Sequence, residues 1–387
     1  MNVLMLGVGD AGLNERDSEP VGRLLEYARR AGGRIDMIVD SPSDAETNFG
    51  ALTVRRTGTG RMRFPSTAYR MALAGARKHP PDLITTQDPF ATALVGLWLR
   101  RALRRPLLVQ NHSCFLFNPH WIAERPVLFH ALHLLARNLL PRADAWRVVN
   151  TNERRIYIER LGLPAERVRV LPVPCNLGLF SGTRTADAES KTRDRWHLPS
   201  GAPVVMWAGR PVRFKRLPLL FKAFAEIRKN FPQARLVVAG RKGLAREDLD
   251  RAARESGMGE SLVWTGELTG AELAGLYGAA DVFLHPSIYE GFGRVLVEAG
   301  AAGLPVVATA TAGAKDIIIE GETGLLVPIE DAAALARRAC ELLSAPERRL
   351  RMGAAARKII PARFDSNKLF EEIVSQWRET ADAGVGR

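Results

Sequence analysis

The chain of 387 residues is longer than one hydrophobic core usually supports, which favours two domains. With 46% hydrophobic and 25% charged residues, it has the composition of a folded globular protein, which excludes extended disorder. No apolar run reaches the about 18 residues that a transmembrane helix needs, and the first strand follows no basic leader. We therefore expect a cytoplasmic protein.

The net charge of +13 is concentrated in the N-terminal half of the chain. Residues 1–185 contain 26 Lys and Arg against 16 Asp and Glu, a balance of +10. Nucleic acid, an anionic membrane surface or an acidic acceptor could each be attracted by such a surface. The three cysteines form no CxxC pair and show no metal-ligand spacing with histidine, so the sequence predicts neither a disulfide nor a metal site.

The chain opens with a buried strand over residues 2–7, and residues 7–12 then match the pattern GxGxxG. Alone, this pattern is typical of dinucleotide binding, and an NAD-dependent oxidoreductase is one alternative function. In that motif the helix opens on the third glycine, here Gly12. We instead predict a helix that is capped by Ser18 and begins at about Glu19, so a long loop intervenes.

The next elements alternate as a parallel α/β sheet requires. We predict strands at residues 35–39, 52–55 and 83–86, and helices at residues 66–78 and 89–103. The helix over 89–103 carries Trp98 and several leucines beside a basic cluster, which consists of Arg100, Arg101, Arg104 and Arg105. This composition is typical of a helix at an anionic membrane surface, although its apolar residues could equally pack on the sheet. A second segment, 120–142, has a similar composition.

His112 follows the next predicted strand, over residues 106–110, at its C-terminal end. Ligands bind at this end of the strands in open α/β sheets, so His112 is a candidate site residue. The alternative is a core histidine that is hydrogen-bonded to backbone. Strands at 144–149 and 168–173 complete the first domain.

Turn-rich residues 180–200 are interpreted as a hinge and the first helix beyond it. We therefore predict three parts: a first domain over 1–178, a second domain over 179–365, and a last helical segment over 366–387.

The second half restarts with a buried strand over 204–209, and Arg210 and Lys215 follow it. Two fixed cations at the end of a sheet suit a diphosphate, because its negative charge grows as it departs from a sugar. Regular alternation continues to the strand that ends at His285. Arg241 and Leu268 come directly after two further strands and are predicted to lie beside the same site.

Residues 285–328 form the most informative stretch of the chain. Glu290 precedes a glycine turn that starts a helix at about Arg294, and Glu298 lies in that helix, roughly 12 Å further along. Backbone N–H groups at the positive end of the helix lie between the two carboxylates. A ligand with hydroxyls at both ends and a diphosphate in the middle fits this arrangement, and a sugar nucleotide is such a ligand.

This stretch resembles the signature of the family 4 retaining glycosyltransferases. The similarity rests on residues 290–293, the Glu298-Ala299 pair, and the segments 303–308 and 321–327. The resemblance implies the GT-B fold, in which two doubly wound, Rossmann-like α/β domains face each other across a cleft. It makes 1–178 the acceptor-side domain and 179–365 the nucleotide-sugar-binding domain, and it implies that the helix within 366–387 crosses back to the first domain. The chain departs from the family at Arg216, where glycine is common, and at residues 150–153, where a serine-rich turn is common. We expect Arg216 to leave binding intact and to add a phosphate contact.

The resemblance also implies a role for each candidate residue. Arg210 and Lys215, with the N–H groups of Gly291, Phe292 and Gly293, would stabilise the departing diphosphate. Glu290 would hold hydroxyls of the donor sugar and Glu298 those of the ribose. His112 would position the sugar or the acceptor. The loop that ends at Gly12 would face the donor, and Arg241 and Leu268 would lie beside the base.

We thus predict a retaining glycosyltransferase that uses a UDP-sugar or GDP-sugar and acts on a glycan, glycolipid or lipid-linked acceptor in cell-envelope biosynthesis. No cofactor and no metal ion are expected, because two fixed cations serve the diphosphate. Membrane contact through the basic cluster is expected to be peripheral. The alternatives are a nucleotide-sugar epimerase on a similar fold, the oxidoreductase, and a non-catalytic or nucleic-acid-binding protein. No binding motif supports nucleic acid.

Overall fold

The computed structural model describes residues 1–182, 185–241, 243 and 246–385. The chain forms two compact units, one of Met1–Pro174 with the C-terminal stretch from Asn367, the other of Cys175–Ser366. Each unit has a predominantly parallel sheet with helices on its faces, so the predicted α/β class is confirmed. Thr183 and Arg184, within the predicted hinge segment, lie outside the described residues.

The first unit contains an eight-stranded sheet. Its strands are β1 (Val3–Val8), β2 (Ile35–Asp40), β3 (Glu46–Asn48), β4 (Leu52–Arg56), β5 (Leu83–Thr86), β6 (Leu107–Asn111), β7 (Ala145–Val148) and β8 (Val168–Val170). They are ordered β3-β4-β2-β1-β5-β6-β7-β8, and only the short edge strand β3 runs antiparallel to its neighbour. This edge strand was not predicted, because three polar residues carry no periodic signal.

The helices of this unit follow the strands in alternation. They are α1 (Glu19–Ala31), α2 (Phe64–Lys78), α3 (Ala91–Leu103), α4 (Pro119–Glu124), α5 (Pro126–Leu139) and α6 (Thr151–Leu161). Helix α1 begins seven residues after Gly12 and is capped by Ser18, whose Oγ accepts a hydrogen bond from the Val21 N–H at 3.4 Å. Both predictions about this helix are therefore confirmed, and its N-terminus does not open on the glycine pattern.

The second unit contains a six-stranded parallel sheet in the order β11-β10-β9-β12-β13-β14. Its strands are β9 (Val204–Ala208), β10 (Arg235–Ala239), β11 (Leu262–Gly266), β12 (Val282–His285), β13 (Val306–Thr309) and β14 (Gly324–Val327). Its helices are α7 (Ala186–Arg195), α8 (Leu217–Asn230), α9 (Arg246–Glu255), α10 (Gly270–Ala279), α11 (Arg294–Ala301), α12 (Ala312–Ile317), α13 (Ala332–Leu343) and α14 (Pro346–Arg363). Its core includes fully buried Trp207, Phe221 and Phe224.

The last helix, α15 (Ser366–Val385), belongs to the first unit. Its Ile373, Val374 and Trp377 are completely buried among side chains of β1, β2 and α1. Trp377 and Tyr27 have ring centroids 5.1 Å apart. None of the helices among the described residues has the length and apolar character that crossing a membrane requires.

Candidate active site

Four parallel strands of the second unit end at the same edge of its sheet, and the loops that follow them form a cleft. The strands are β9, β10, β11 and β12. The cleft has a volume of about 870 Å³, large enough for a ligand of the size of a nucleotide. Its lining includes Arg210, Arg241 and Leu268, three residues predicted at this edge, and also Arg294.

The floor of the cleft depends on two glycines. Gly240 has a φ of +147°, a conformation that favours glycine, and a Cβ built on it would lie 2.0 Å from the carbonyl oxygen of Gly209. The loops after β9 and β10 therefore touch through their backbones. Arg210 follows directly after the first of these glycines and Arg241 directly after the second.

Lys215 and Glu290 form an ion pair in this unit, although 75 positions separate them in the sequence. The Lys215 ammonium donates a hydrogen bond to Glu290 Oε2, and His285 Nε2 lies 3.1 Å from the same oxygen. Burial disfavours ionisation of Glu290, but Lys215 and His285 outweigh that effect and lower its pKa to about 2. The two predicted site residues are therefore brought together as a charged pair.

His285 is completely buried at the end of β12 and supports this pair. Burial, together with the charge of Lys215, lowers the pKa of His285 despite the opposing effect of Glu290. The ring is therefore neutral, and because a carboxylate only accepts hydrogen bonds, Nε2 carries the proton. Ser287 Oγ lies 3.0 Å from the same nitrogen.

Glu298 lies in the second turn of α11 and is held by two side chains. The Tyr277 hydroxyl donates to Glu298 Oε2 at 3.2 Å, and Arg294 Nη2 donates to Oε1 at 3.4 Å. Glu298 is buried and Tyr277 completely so, which raises the pKa of the tyrosine well above its usual range. Since Arg294 lines the cleft, this arginine connects Glu298 to it.

The glycine turn between the two glutamates has the geometry that the sequence predicts. Gly293 has a φ of +90° at the N-cap, and α11 begins at Arg294. Phe292 is buried against Phe364, with ring centroids 5.4 Å apart, and the Gly313 N–H donates to the Glu290 carbonyl at 3.1 Å. The segment from Gly291 to Gly293 is thus fixed at the positive end of the helix.

Arg216 is held by a carboxylate of the same unit. Its φ of +53° explains why glycine suits this position, and its guanidinium pairs with Glu330. The phosphate contact of Arg216 stays a prediction. Arg241 likewise pairs with Glu267 at the cleft, and both of these side chains are largely exposed.

His112 and Gly12 belong to the first unit. His112 follows β6 and is partly accessible, but its Nδ1 is buried without a hydrogen-bond partner. Burial and the charges of Arg147 and Arg23 lower its pKa to about 3, so the imidazole is neutral at physiological pH. Gly12 has a φ of +74° and accepts a hydrogen bond from Ser18 through its carbonyl.

Three side chains of the site were not predicted from sequence: Tyr277, His285 and Arg294. His285 and Arg294 carried a local signal, since one ends a buried strand and the other follows the last glycine of the turn. Tyr277 lies on α10 among apolar residues, where a tyrosine is indistinguishable from an ordinary core residue.

The described part of the chain contains no group of three or more side chains suited to holding a metal ion. Asp248 and Asp250 have an Asp-x-Asp spacing, which occurs in some metal sites; they lie on α9, where Asp248 pairs with Arg251 at 2.5 Å.

Comparison with known proteins assigns the chain to a family. The family model Glycosyltransferase Family 4 matches residues 21–178, and Glycosyl transferases group 1 matches residues 189–359. A GDP-mannose-dependent alpha-(1-6)-phosphatidylinositol monomannoside mannosyltransferase of Mycolicibacterium smegmatis is 30% identical over 80% of this chain and 79% of its own. The chain belongs to the family 4 glycosyltransferases. It is therefore an enzyme of the glycosyltransferase class, and the predicted family is confirmed.

Two further proteins show how far the similarity extends. An alpha-D-kanosaminyltransferase of Streptomyces kanamyceticus is 26% identical over 92% of this chain and 90% of its own. The solved structure of a sucrose-phosphate synthase from Thermosynechococcus elongatus is 26% identical, with a TM-score of 0.83 over 99% of this chain and 100% of that one. The fold class of the chain is thus GT-B. The two enzymes and the mannosyltransferase differ in the sugar they are named for.

Proposed function

We propose that this glycosyltransferase transfers a sugar from a UDP-sugar or GDP-sugar to a glycolipid or lipid-linked glycan, with retention of anomeric configuration. The cleft of the second unit carries the proposal, because Arg210 and Arg294 line it and Glu298 adjoins it through Arg294. The mannosyltransferase relative, whose name specifies GDP-mannose, supports a nucleoside-diphosphate sugar as donor.

Each group at the cleft has a proposed task in this reaction. Arg210, Lys215 and the backbone at the start of α11 stabilise the diphosphate as negative charge grows on it. Glu298 binds the ribose hydroxyls, and Arg241 and Leu268 lie beside the base. With fixed cations in these positions, the diphosphate needs neither a divalent ion nor a cofactor.

The sugar-binding task falls on Glu290. Its depressed pKa keeps the carboxylate ionised, and an ionised carboxylate accepts hydrogen bonds from sugar hydroxyls. Lys215 already bonds to the same carboxylate, so one ion pair would contact both the sugar and the diphosphate. His112 positions the sugar or the acceptor, and the loop ending at Gly12 faces the donor.

A lipid-linked acceptor is proposed from the relative and from the surface of the first unit. The mannosyltransferase is named for a phosphatidylinositol glycolipid. The enzyme would act in the assembly of cell-envelope glycolipids or polysaccharides, as a cytoplasmic protein that contacts the membrane peripherally.

The surface that would contact the membrane combines cations with exposed apolar side chains. A groove of about 330 Å³ is lined by Arg100, Arg101, Arg104 and Arg105. Arg100 forms two hydrogen bonds with Asp144, at 2.7 and 2.8 Å, which leaves the other three as the candidate lipid contacts. Helix α5 packs beside α3 and exposes Val127, Leu128 and Leu134.

The basic groove does not adjoin His112. Arg105 precedes β6 and His112 follows it, so the two lie at opposite edges of the sheet, with a five-residue strand about 16 Å long between them. Helix α5 spans this distance, because it begins after the His112 loop and ends before β7. The groove therefore would attach the enzyme to the membrane without binding the sugar acceptor.

Nucleotide binding tests the donor. We expect UDP or GDP, but not NAD, to raise the melting temperature, because a ligand at 100 times its Kd adds about 2.7 kcal/mol to stability. Glu298→Gln should abolish the shift and the matched exposed variant Glu260→Gln should retain it. Stabilisation by NAD alone, or by no ligand, would contradict the proposal.

Product analysis tests the reaction class. NMR of the product should show the same anomeric configuration as the donor sugar. An inverted product contradicts retention, and conversion of the donor sugar without any acceptor indicates an epimerase.

Vesicle binding tests the membrane contact. Each basic residue near an anionic surface contributes about 1 kcal/mol, so Arg101→Gln/Arg104→Gln should weaken binding to phosphatidylglycerol vesicles by about 30-fold. Lys222→Gln/Arg254→Gln removes the same charge from exposed positions on α8 and α9 of the second unit and should bind like the wild type. Equal loss in both double variants would indicate a general charge effect and would remove the basic groove from the proposal.

A further inference from the structure

A fully buried polar network lies directly beneath the loop that carries His112. Asn111 at the end of β6, and Asn150 and Glu153 at the start of α6, are completely buried. Asn111 Nδ2 donates to Glu153 Oε2 at 2.8 Å, and Asn150 Oδ1 caps α6 by accepting from the Glu153 N–H, also at 2.8 Å. Burying a carboxyl group is costly, so a purely structural turn would be expected to use a smaller or neutral side chain.

The network holds the residues on both sides of His112. Asn111 precedes the histidine, and its side chain bonds both to Glu153 and to the Ser113 N–H, the latter at 3.2 Å. Cys114 follows two positions after the histidine; its thiol hydrogen-bonds to Glu153 and accepts from Asn150 Nδ2 at 3.4 Å. Among the described residues, His112 forms no hydrogen bond to the network, so its position depends on these flanking anchors.

We propose that Glu153 is a positioning residue that fixes His112 through Asn111 on one side and Cys114 on the other. The inference rests on the proposed function, in which His112 positions the sugar or the acceptor. It goes beyond that function because the proposed function gives Glu153 no contact with the donor or the acceptor. Glu153 also lies on a different element from the histidine.

The protonation state of Glu153 gives this arrangement a measurable signature. Burial, partly offset by hydrogen bonds from Cys114 and Asn111, raises the pKa of Glu153 to about 8. The carboxyl is therefore protonated at neutral pH and can donate as well as accept a hydrogen bond. Above pH 8 it becomes an anion that only accepts, so the anchors on the two sides of His112 should rearrange.

Other groups near the network must be distinguished from Glu153. Tyr157 is one turn further along α6 and fully buried, and burial followed by the charge of Glu153 raises its pKa well above the usual range. The charges of Arg147 on β7 and Arg23 on α1 act on His112. Cys114 is the remaining titratable neighbour in the loop.

The test compares Glu153→Gln, which keeps the shape but removes the titration, with Glu159→Gln, an exposed position on the same helix. For a group of pKa 8, the protonated fraction falls about tenfold between pH 7 and pH 9. In the wild type and in Glu159→Gln, we expect kcat at pH 9 to be about one tenth of kcat at pH 7. In Glu153→Gln the two kcat values should stay within twofold of each other.

An NMR measurement separates this inference from the proposed function. In protein labelled with ¹⁵N-histidine, the His112 ring signal, assigned by its loss in His112→Gln, should shift with an apparent pKa of about 8. The shift should persist in Glu159→Gln and vanish in Glu153→Gln. The same titration in all three proteins would overturn the positioning role. Absence of nucleotide binding would overturn the proposed function alone.

Discussion

The Lys215 ammonium and the Glu290 carboxylate form a largely buried ion pair at the edge of the second sheet. Neither side chain exceeds 14% exposure, and His285 bonds to the same carboxylate oxygen. Because removal of one partner leaves the other charge buried and unpaired, this pair should matter for stability as well as for ligand binding.

The first prediction concerns this pair. Glu290→Gln should lower the free energy of unfolding by about 3 kcal/mol at pH 7, because Lys215 loses its counter-charge. Arg241 and Glu267 form an exposed pair, and Glu267→Gln should lower the free energy of unfolding by less than about 1 kcal/mol. Urea unfolding of both variants measures the two differences.

The pH dependence of the same variant follows from the pKa of Glu290. The folded pKa of about 2 lies below the ordinary value of 4.5, so the carboxylate contributes stability that is full above pH 4.5. That contribution is lost as pH falls toward 2. The difference between wild type and Glu290→Gln should therefore shrink between pH 5 and pH 3, and a constant difference would contradict the assignment.

The second prediction concerns Glu153 and has the opposite sign. Its folded pKa of about 8 lies above the ordinary 4.5, so the folded state keeps a proton that the unfolded state releases. Stability should fall as pH rises from 4.5 to 8. The free energy of unfolding of Glu153→Gln minus that of the wild type should therefore be about 3 kcal/mol higher at pH 7.5 than at pH 4.5. Urea unfolding of both proteins at the two pH values measures this difference. A gap between the two proteins that does not change with pH would contradict this prediction.

The third prediction concerns the two side chains that hold Glu298. Tyr277→Phe removes one hydrogen bond to the carboxylate, and Arg294→Gln removes a cation that lines the cleft. We expect the Kd of the bound nucleoside diphosphate to rise about fivefold in the first variant and about tenfold in the second, by calorimetry. Arg254→Gln, on the exposed face of α9, should bind as the wild type does; a similar loss there would indicate a non-specific charge effect.

The fourth prediction concerns the cleft floor. Gly240→Ala would place a methyl group 2.0 Å from the Gly209 carbonyl oxygen at a φ of +147°. We expect at least about 2 kcal/mol of destabilisation and a loss of nucleotide binding, measured by thermal shift with and without ligand. Gly22→Ala is the control, because that glycine lies in α1 with open space around it and should gain up to about 1 kcal/mol.

The parts of the structure that the sequence predicted correctly have local signals. Ser18 caps α1 because its hydroxyl reaches an N–H three positions on, and α11 begins after Gly293 because the turn needs a left-handed residue. Alternating strands and helices predicted the parallel sheets in the same way. The ligand roles assigned to the site residues remain predictions.

Contacts between distant segments could not be predicted from such signals. Lys215 and Glu290 meet only because parallel strands bring their following loops to one edge. Tyr277 on α10 and Glu298 on α11 are 21 positions apart in the sequence and meet only in the folded unit. The buried state of Glu153 is hidden for the same reason, since a glutamate at the third position of a helix usually lies in solvent. The pairing of Arg216 with Glu330 depends on two residues with positive φ, of which neither is glycine.

Helix α15 has a consequence for how the chain can be synthesised and divided. The core around Tyr27 and β1 includes Trp377, which the ribosome adds only after the whole second unit. A nascent chain that has emerged as far as Pro174 therefore still exposes the apolar surface that this helix covers. A fragment ending there should aggregate, whereas the same fragment supplied with a peptide spanning residues 366–385 should recover its solubility.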